Sequence, residues 1–360
     1  MRKREMKTVI DVRSDTVTRP TEEMLQAMVS APLGDDCSGE DPTVNRLEAL
    51  AASRLGKEAG LLVPSGTMGN LVSVLAHTQR GDEVIMESEC HMYYYEVGNI
   101  SAVAGVIPRF VRGHNGVLNP DDVTKAIRGA NIHYPPPRLI AVENTHNRGG
   151  GTVTSVELCR AICAVAKEKG LSTHLDGARI FNAATALGVD AREIAQNFDS
   201  VMFCLSKGLS APVGSVVVGS RDFIERARKY RKMLGGGMRQ AGIIAAAGIV
   251  AIETMTDRLE DDHNNARYLG EGLALIPGIH VALETVQTNM VYFDVKGLGF
   301  DSFSFAKELE RRNVKASLRP PTGIRMVTHR HISRENISCV LGVIEEISKC
   351  HRHPMPQMPQ

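Results

Sequence analysis

A mostly parallel α/β sheet covered by helices on both faces, followed by a smaller α+β unit, is the fold class the sequence predicts. Two observations carry this prediction. Short apolar runs recur between about residues 60 and 220, several rich in Val and Ile and without strict alternation, the texture of strands buried on both faces. Helical patterns separate many of them, and strand–helix alternation implies parallel pairing under two layers of helices. The chain length of 360 residues exceeds what one compact core usually organises, so a second unit is expected.

In chain order the runs are Leu61–Pro64, Glu83–Met86, Gly105–Val111, Leu139–Glu143, Leu171–Asp176, Ser200–Leu205 and Ser215–Gly219. The clearest helix, Val156–Lys169, has apolar residues at helical spacing and stops at Gly170, a residue suited to the left-handed position that ends helices. From about residue 240 the texture changes. Ala241–Met255 carries no charge before Glu253 and reads as a buried or interface helix. Strands are expected near Met290–Val295 and Ile324–Thr328, with helices near Ser302–Arg312 and Ser333–Lys349. Ser333 is a natural N-cap. The large unit is expected over residues 21–250, the small one over 251–350, and a disordered Pro-containing tail over 351–360.

Composition removes several function classes. Formal net charge is +1, so no global field favours nucleic acid or an anionic membrane. Trp is absent and aromatics are 4%, which argues against base-stacking platforms. No apolar run is long enough to span a bilayer. Met1–Lys7 is basic but leads into polar sequence without an apolar signal core. The seven cysteines are scattered and complete no zinc pattern, so no metal is expected. A reduced, cytoplasmic setting fits this usage.

Ligands of parallel α/β sheets bind at the carboxyl ends of strands, which directs attention to the residues just after each run. After Leu61–Pro64 comes Ser65-Gly66-Thr67-Met68-Gly69-Asn70, a small turn opening a helix, where backbone N–H groups and the helix dipole attract an anion. After Leu171–Leu175 comes Asp176, whose buried carboxylate needs a partner such as a protonated ring nitrogen, and then Arg179, whose planar fork suits a carboxylate. After Ser200–Leu205 comes Lys207, where desolvation would lower the amine's pKa toward that of a Schiff-base lysine. After Glu83–Met86 comes His91, which could stack on a flat ring. Each alone has a plainer reading: a common turn, an internal Asp176–Arg179 salt bridge, a lysine in solvent, a hydrogen-bonded histidine. Together they are the parts that pyridoxal phosphate requires, an anchored phosphate, a cationic pyridine nitrogen and an aldehyde held as an imine.

With these residues in place the sequence resembles the low-specificity L-threonine aldolases, members of the aspartate-aminotransferase-like (fold type I) group of pyridoxal-phosphate enzymes. The resemblance runs from about Ile10 to Lys349. It rests on Asp11-Val12-Arg13-Ser14-Asp15-Thr16-Val17-Thr18, Gly39-Glu40-Asp41-Pro42-Thr43-Val44-Asn45, His174-Leu175-Asp176-Gly177-Ala178-Arg179, Leu205-Ser206-Lys207-Gly208 and Gly235-Gly236-Gly237-Met238-Arg239-Gln240. It implies that Lys207 carries the cofactor as a Schiff base, that Asp176 pairs with the pyridine nitrogen and that His91 stacks over the ring. Gly66 and Thr67 would hold the phosphate, with Lys232 and Arg239 reaching the phosphate of a neighbouring subunit. Ser14, Arg179 and Arg325 would bind the carboxylate of a small amino-acid substrate, so residues 1–20 form an arm that contributes to the active site. His133 matches a histidine near the substrate hydroxyl, and either it or His91 would take the hydroxyl proton. The implied assembly is a homotetramer with active sites at dimer interfaces. The implied reaction is retro-aldol cleavage of L-threonine or L-allo-threonine to glycine and an aldehyde. Two positions depart from the family pattern: Ser38, where many relatives have Tyr, and Ser210, where glycine is usual. Other reactions of the same cofactor (β-elimination, racemisation, transamination) and a retired cofactor-binding homologue are the competing readings, since one scaffold supports many chemistries.

Overall fold

In a computed structural model, which describes residues 9–352, the chain divides into two compact units. One runs from Thr18 to Arg258; the other joins the residues up to Val17 to those from Leu259 onward.

The larger unit is organised by seven strands: β1 (Ala59–Val63), β2 (Glu83–Glu87), β3 (Ile107–Val111), β4 (Pro137–Glu143), β5 (Ser172–Asp176), β6 (Ser200–Cys204) and β7 (Ser215–Gly219). Their order across the sheet is β1-β7-β6-β5-β4-β2-β3. Every run read as a strand in this region is one. β7 alone is antiparallel to its neighbours β1 and β6; the others share one direction. This exception has a local cause. Only residues 205–214 link β6 to β7, too few for the crossover a parallel pair needs. The link is therefore a loop at the carboxyl edge of β6, and it carries Lys207.

β2, β6 and β7 are buried along their whole length, as apolar runs without alternation require. The helix Gly66–His77 packs on this sheet through Val72, which lies in a cluster with Leu61, Val63, Met202 and Val217. Its start is set by Ser65, whose Oγ accepts the Met68 N–H at 3.2 Å. Val156–Glu168 begins at Ser155, an N-cap to Leu158, and gives way to Gly170 at φ +67°. Gly242–Thr254 is buried along most of its length.

The smaller unit contains a four-stranded antiparallel sheet, Ser317–Arg319, Gly323–Val327, Met290–Asp294 and His280–Val281 in spatial order. Ile10–Asp11 pairs in parallel with Val314–Lys315. Its core joins Val12, Leu269, Val291, Phe305, Ile324 and Ile344. The helices are Leu259–Ala274, Ser302–Arg311 and Arg334–Arg352, and Ser333 Oγ accepts the Asn336 N–H at 3.3 Å. The tail expected at 351–360 lies outside the described residues apart from the last two positions of that helix. No helix among the described residues is long and apolar enough to cross a membrane.

Candidate active site

The carboxyl edge of the large sheet forms a cleft of about 290 Å³ whose lining includes Gly66, Thr67, His91, Asp176, Ser206 and Lys207. They arrive from the ends of four strands or the turns just after them. β1 leads into the helix opened by Gly66 and Thr67, whose first N–H groups have no partner within the helix. Gly66 also allows close approach to the sheet: a Cβ there would stand 2.9 Å from Cys204 Sγ. β5 ends at Asp176, 2% exposed. β6 leads to Lys207, half-buried, whose carbonyl accepts bonds from Thr18 Oγ1 at 2.9 Å and the Ser210 N–H at 2.9 Å.

His91 follows β2 and opens a short helix, with its backbone N–H donating to Glu143 Oε2 at 2.6 Å. Its Nδ1 lies 2.9 Å from Glu96 Oε1, the same oxygen that accepts from Asn70 Nδ2 at 2.8 Å. A His91 protonated on Nδ1 donates to this oxygen beside Asn70. Burial works against the imidazolium, but the Glu96 hydrogen bond and the Asp176 charge outweigh it and raise the His91 pKa. Burial raises that of Glu96.

Asp176 Oδ2 accepts from Asn70 Nδ2 at 2.9 Å and Oδ1 from the Ala178 N–H at 3.1 Å. His91, Glu96 and Asp176 bring ligating atoms within 4.8 Å of one another, a compact polar floor with net acidic character. Beside it, Glu87 accepts from His146 Nε2 at 3.0 Å. Burial pushes the Glu87 carboxyl up, but His146 and the Glu89 and Gly113 N–H groups prevail and hold it at about 2. His146 itself is lowered by burial and raised more by Glu143 and Glu87.

Among the residues expected at the site, Lys207, Asp176, His91, Gly66 and Thr67 converge on this cleft. Arg179 is buried just before the helix Ile180–Leu187. Lys232 and Arg239 lie on the surface, Lys232 Nζ 3.6 Å from Cys37 Sγ and Arg239 Nη1 2.9 Å from Asp35 Oδ2; neither lines the cleft of its own chain. Ser14 and Arg325 belong to the smaller unit, Arg325 in the strand Gly323–Val327.

His133 does not line the cleft of its own chain. It is exposed in the loop that enters the amino end of β4, whereas the cleft lies at the carboxyl ends. At about 3.3 Å per residue, the seven residues of β4 place it some 20 Å from that edge. Ser38, exposed, closes a short 3-10 turn before Gly39. Asn70, Glu96, Glu143 and His174 were not singled out by sequence reasoning. A signal was present for two: His174 and Asp176 are two apart on β5 and share a face, and Asn70 is one turn beyond Gly66 on its helix.

A sheet of this order, with the lysine loop and the aspartate at one edge, is the architecture of fold type I pyridoxal-phosphate enzymes. A solved structure of Leishmania major threonine aldolase shares it, with a TM-score of 0.80 at 19% identity, covering 94% of this chain and 99% of that one. The chain belongs to the beta-eliminating lyase family, whose model matches residues 11–296, and within it to the low-specificity L-threonine aldolases. Low-specificity L-threonine aldolase 1 of Arabidopsis thaliana is 44% identical over 350 residues, 96% of this chain and 98% of that protein. The low specificity L-threonine aldolase of Escherichia coli K12 is 43% identical over 331 residues, 92% and 96% respectively.

Proposed function

We propose that this protein binds pyridoxal phosphate in the cleft and cleaves β-hydroxy amino acids, L-threonine and L-allo-threonine among them, to glycine and an aldehyde. The observation that carries the reading is the convergence of Asp176, His91, Lys207 and the helix start at Gly66 and Thr67 on one cleft.

The donor set fits the cofactor part by part. A helix N-terminus suits a phosphate, a buried carboxylate suits a protonated ring nitrogen, and a lysine amine suits an aldehyde. When bound, the cofactor supplies an electron sink for the pair released as Cα–Cβ breaks. The chain's residues do the rest. Lys207 would hold the cofactor's aldehyde through its amine. Asp176 would present its buried carboxyl group to the ring nitrogen. His91, whose Nδ1 faces Glu96, would in its neutral form offer Nε2 as an acceptor for the β-hydroxyl proton. For Arg179, Ser14 and Arg325 the role of binding the substrate carboxylate rests on the family resemblance. His133, Lys232 and Arg239 serve the cleft of a second copy in a homotetramer, a role suited to exposed groups. All seven cysteines are unpaired thiols, in keeping with a cytoplasmic location.

Acetaldehyde release from L-allo-threonine and L-threonine by the purified protein with pyridoxal phosphate tests the activity. Release from either substrate supports it, and the ratio of rates defines the preference at Cβ. An intact cofactor absorption band with no release from either would overturn it in favour of another reaction of the same cofactor or a retired homologue.

A further inference from the structure

Behind Asp176 lies a row of buried polar side chains that take no part in the cleavage chemistry itself. Asn70 has two amide hydrogens, and both go to carboxylates, Glu96 Oε1 at 2.8 Å and Asp176 Oδ2 at 2.9 Å. With Nδ2 between the two carboxyl groups, both amide hydrogens find acceptors, and this orientation is the one the hydrogen bonds describe. Its oxygen therefore faces His174 Nε2 at 3.1 Å, and that nitrogen must carry a proton. His174 Nδ1 lies 2.8 Å from Ser200 Oγ, which lies 2.7 Å from His77 Nε2.

Burial keeps both histidines neutral, with His174 pushed down to about 3 and His77 to about 4. A neutral His174 protonated on Nε2 accepts at Nδ1, so the Ser200 hydroxyl donates to it. The hydroxyl oxygen then accepts from His77. Every donor in the row points toward Asp176: His77 to Ser200, Ser200 to His174, His174 to Asn70, Asn70 to the carboxylate. Asn70, His174 and Ser200 have no exposed surface. His77 is stacked on Phe223 at 4.6 Å between centroids and reaches a second cleft beside Arg226 and Asp82.

On the reading of the main cleft as a pyridoxal-phosphate site, we propose that this one-way relay keeps Asp176 ionised opposite the cofactor's ring nitrogen. Asn70 and His174 are then positioning residues of the reaction. The physical need is specific. A buried carboxylate near a second one, Glu96, tends to take up a proton, and a protonated Asp176 could not hold the ring nitrogen cationic. A lysine or arginine at Asn70 would stabilise the charge but compete with the ring nitrogen for it. Neutral donors stabilise the anion and leave it available, and each bond in the row polarises the next.

The direct test is the ¹⁵N resonance of ring-labelled pyridoxal phosphate bound to the full-length protein, together with kcat and KM for L-allo-threonine. In the wild type the resonance should report a protonated nitrogen. His174→Phe keeps the ring's bulk but removes its N–H; it should shift the resonance toward the unprotonated position. It should also lower kcat by up to about tenfold, the size of one neutral buried hydrogen bond, with KM within about twofold. His174→Gln, which restores an N–H donor, should recover most of both. Ser200→Ala changes little volume and should produce a smaller shift of the same sign, which keeps the test open if His174→Phe does not fold. An unshifted resonance in folded His174→Phe or Ser200→Ala protein overturns the relay while leaving the cofactor site intact. Failure of the wild type to bind pyridoxal phosphate at all would instead overturn the reading of the cleft.

Discussion

Lowering the pH from 7.5 to 5 should destabilise the larger unit through the two neutral histidines of the relay, and the amount follows from their burial. His174 is fully buried and its pKa is pushed down to about 3, by burial and then by the neighbouring His77, against the pull of Asp176. His77 falls to about 4, by burial and Arg226, opposed by Asp199. Above pH 6.5 neither the folded nor the unfolded chain protonates these rings, so their contribution is flat. Below it the unfolded chain binds protons that the folded chain refuses, and stability falls until the folded pKa is passed. At pH 5 the unfolded His174 lies about 1.5 units below its ordinary pKa, which corresponds to about 2 kcal/mol. His77, half-buried at the edge of a cleft, is screened by water and contributes about 1 kcal/mol. His91 and His146 run the other way. Their folded pKa values are raised, so they add stability below the ordinary value and lose it as pH rises through the folded one. The wild-type slope therefore mixes both signs, and the informative quantity is a difference. Urea midpoints followed by circular dichroism at pH 7.5 and 5 should show a pH loss about 2 kcal/mol smaller in His174→Phe than in the wild type, and about 1 kcal/mol smaller in His77→Phe. The absolute stability of each variant will also drop because a buried hydrogen bond is lost, but that offset is common to both pH values. Parallel pH curves for wild type and His174→Phe would refute the assignment of His174 as a buried neutral ring.

Four further outcomes are expected. Lys207→Ala should abolish multiple turnover and the protein-bound cofactor absorption band; substantial steady-state release of acetaldehyde would contradict its role. Gly66→Ala places a Cβ 2.9 Å from Cys204 Sγ and 3.3 Å from Met202 Cε, so the turn must shift; pyridoxal-phosphate affinity should fall about tenfold, one charge-assisted bond, in a fluorescence titration. Arg231→Met leaves the buried Asp36 with only the more distant Arg228, at 4.0 Å against 2.8 Å for Arg231, and also removes the bond to the Leu62 carbonyl at 2.8 Å. The loss should be about 3–5 kcal/mol, and a urea midpoint close to the wild type would show that the pair is not buried as described. Ser210 is fully buried at φ +66°, a conformation costing an L-residue about 1–2 kcal/mol, so Ser210→Gly should gain up to about 1 kcal/mol after the entropic cost of glycine; a lower urea midpoint would refute the strain.

The sequence alone determined the large sheet and the edge to search. Its strands were legible because most are buried along nearly their whole length and so read as largely apolar runs, the edge strand Ile107–Val111 being exposed or half-buried over most of its length, and because the helices between them show a different period. Asp176, Lys207, His91 and the Gly66–Thr67 turn could be picked out because each follows one of those runs. The smaller pairings were not legible: Ile10–Asp11 with Val314–Lys315 and the strands His280–Val281 and Ser317–Arg319 are two or three residues long, too short for any period to show. That His133 precedes β4, and so stands at its amino end, already followed from chain order. The relay belongs wholly to the tertiary level. Asn70 meets Asp176 across 106 positions and His174 across 104. Polar residues so far apart in the chain acquire a shared direction and a shared charge only when packing removes the water that would otherwise satisfy each of them separately.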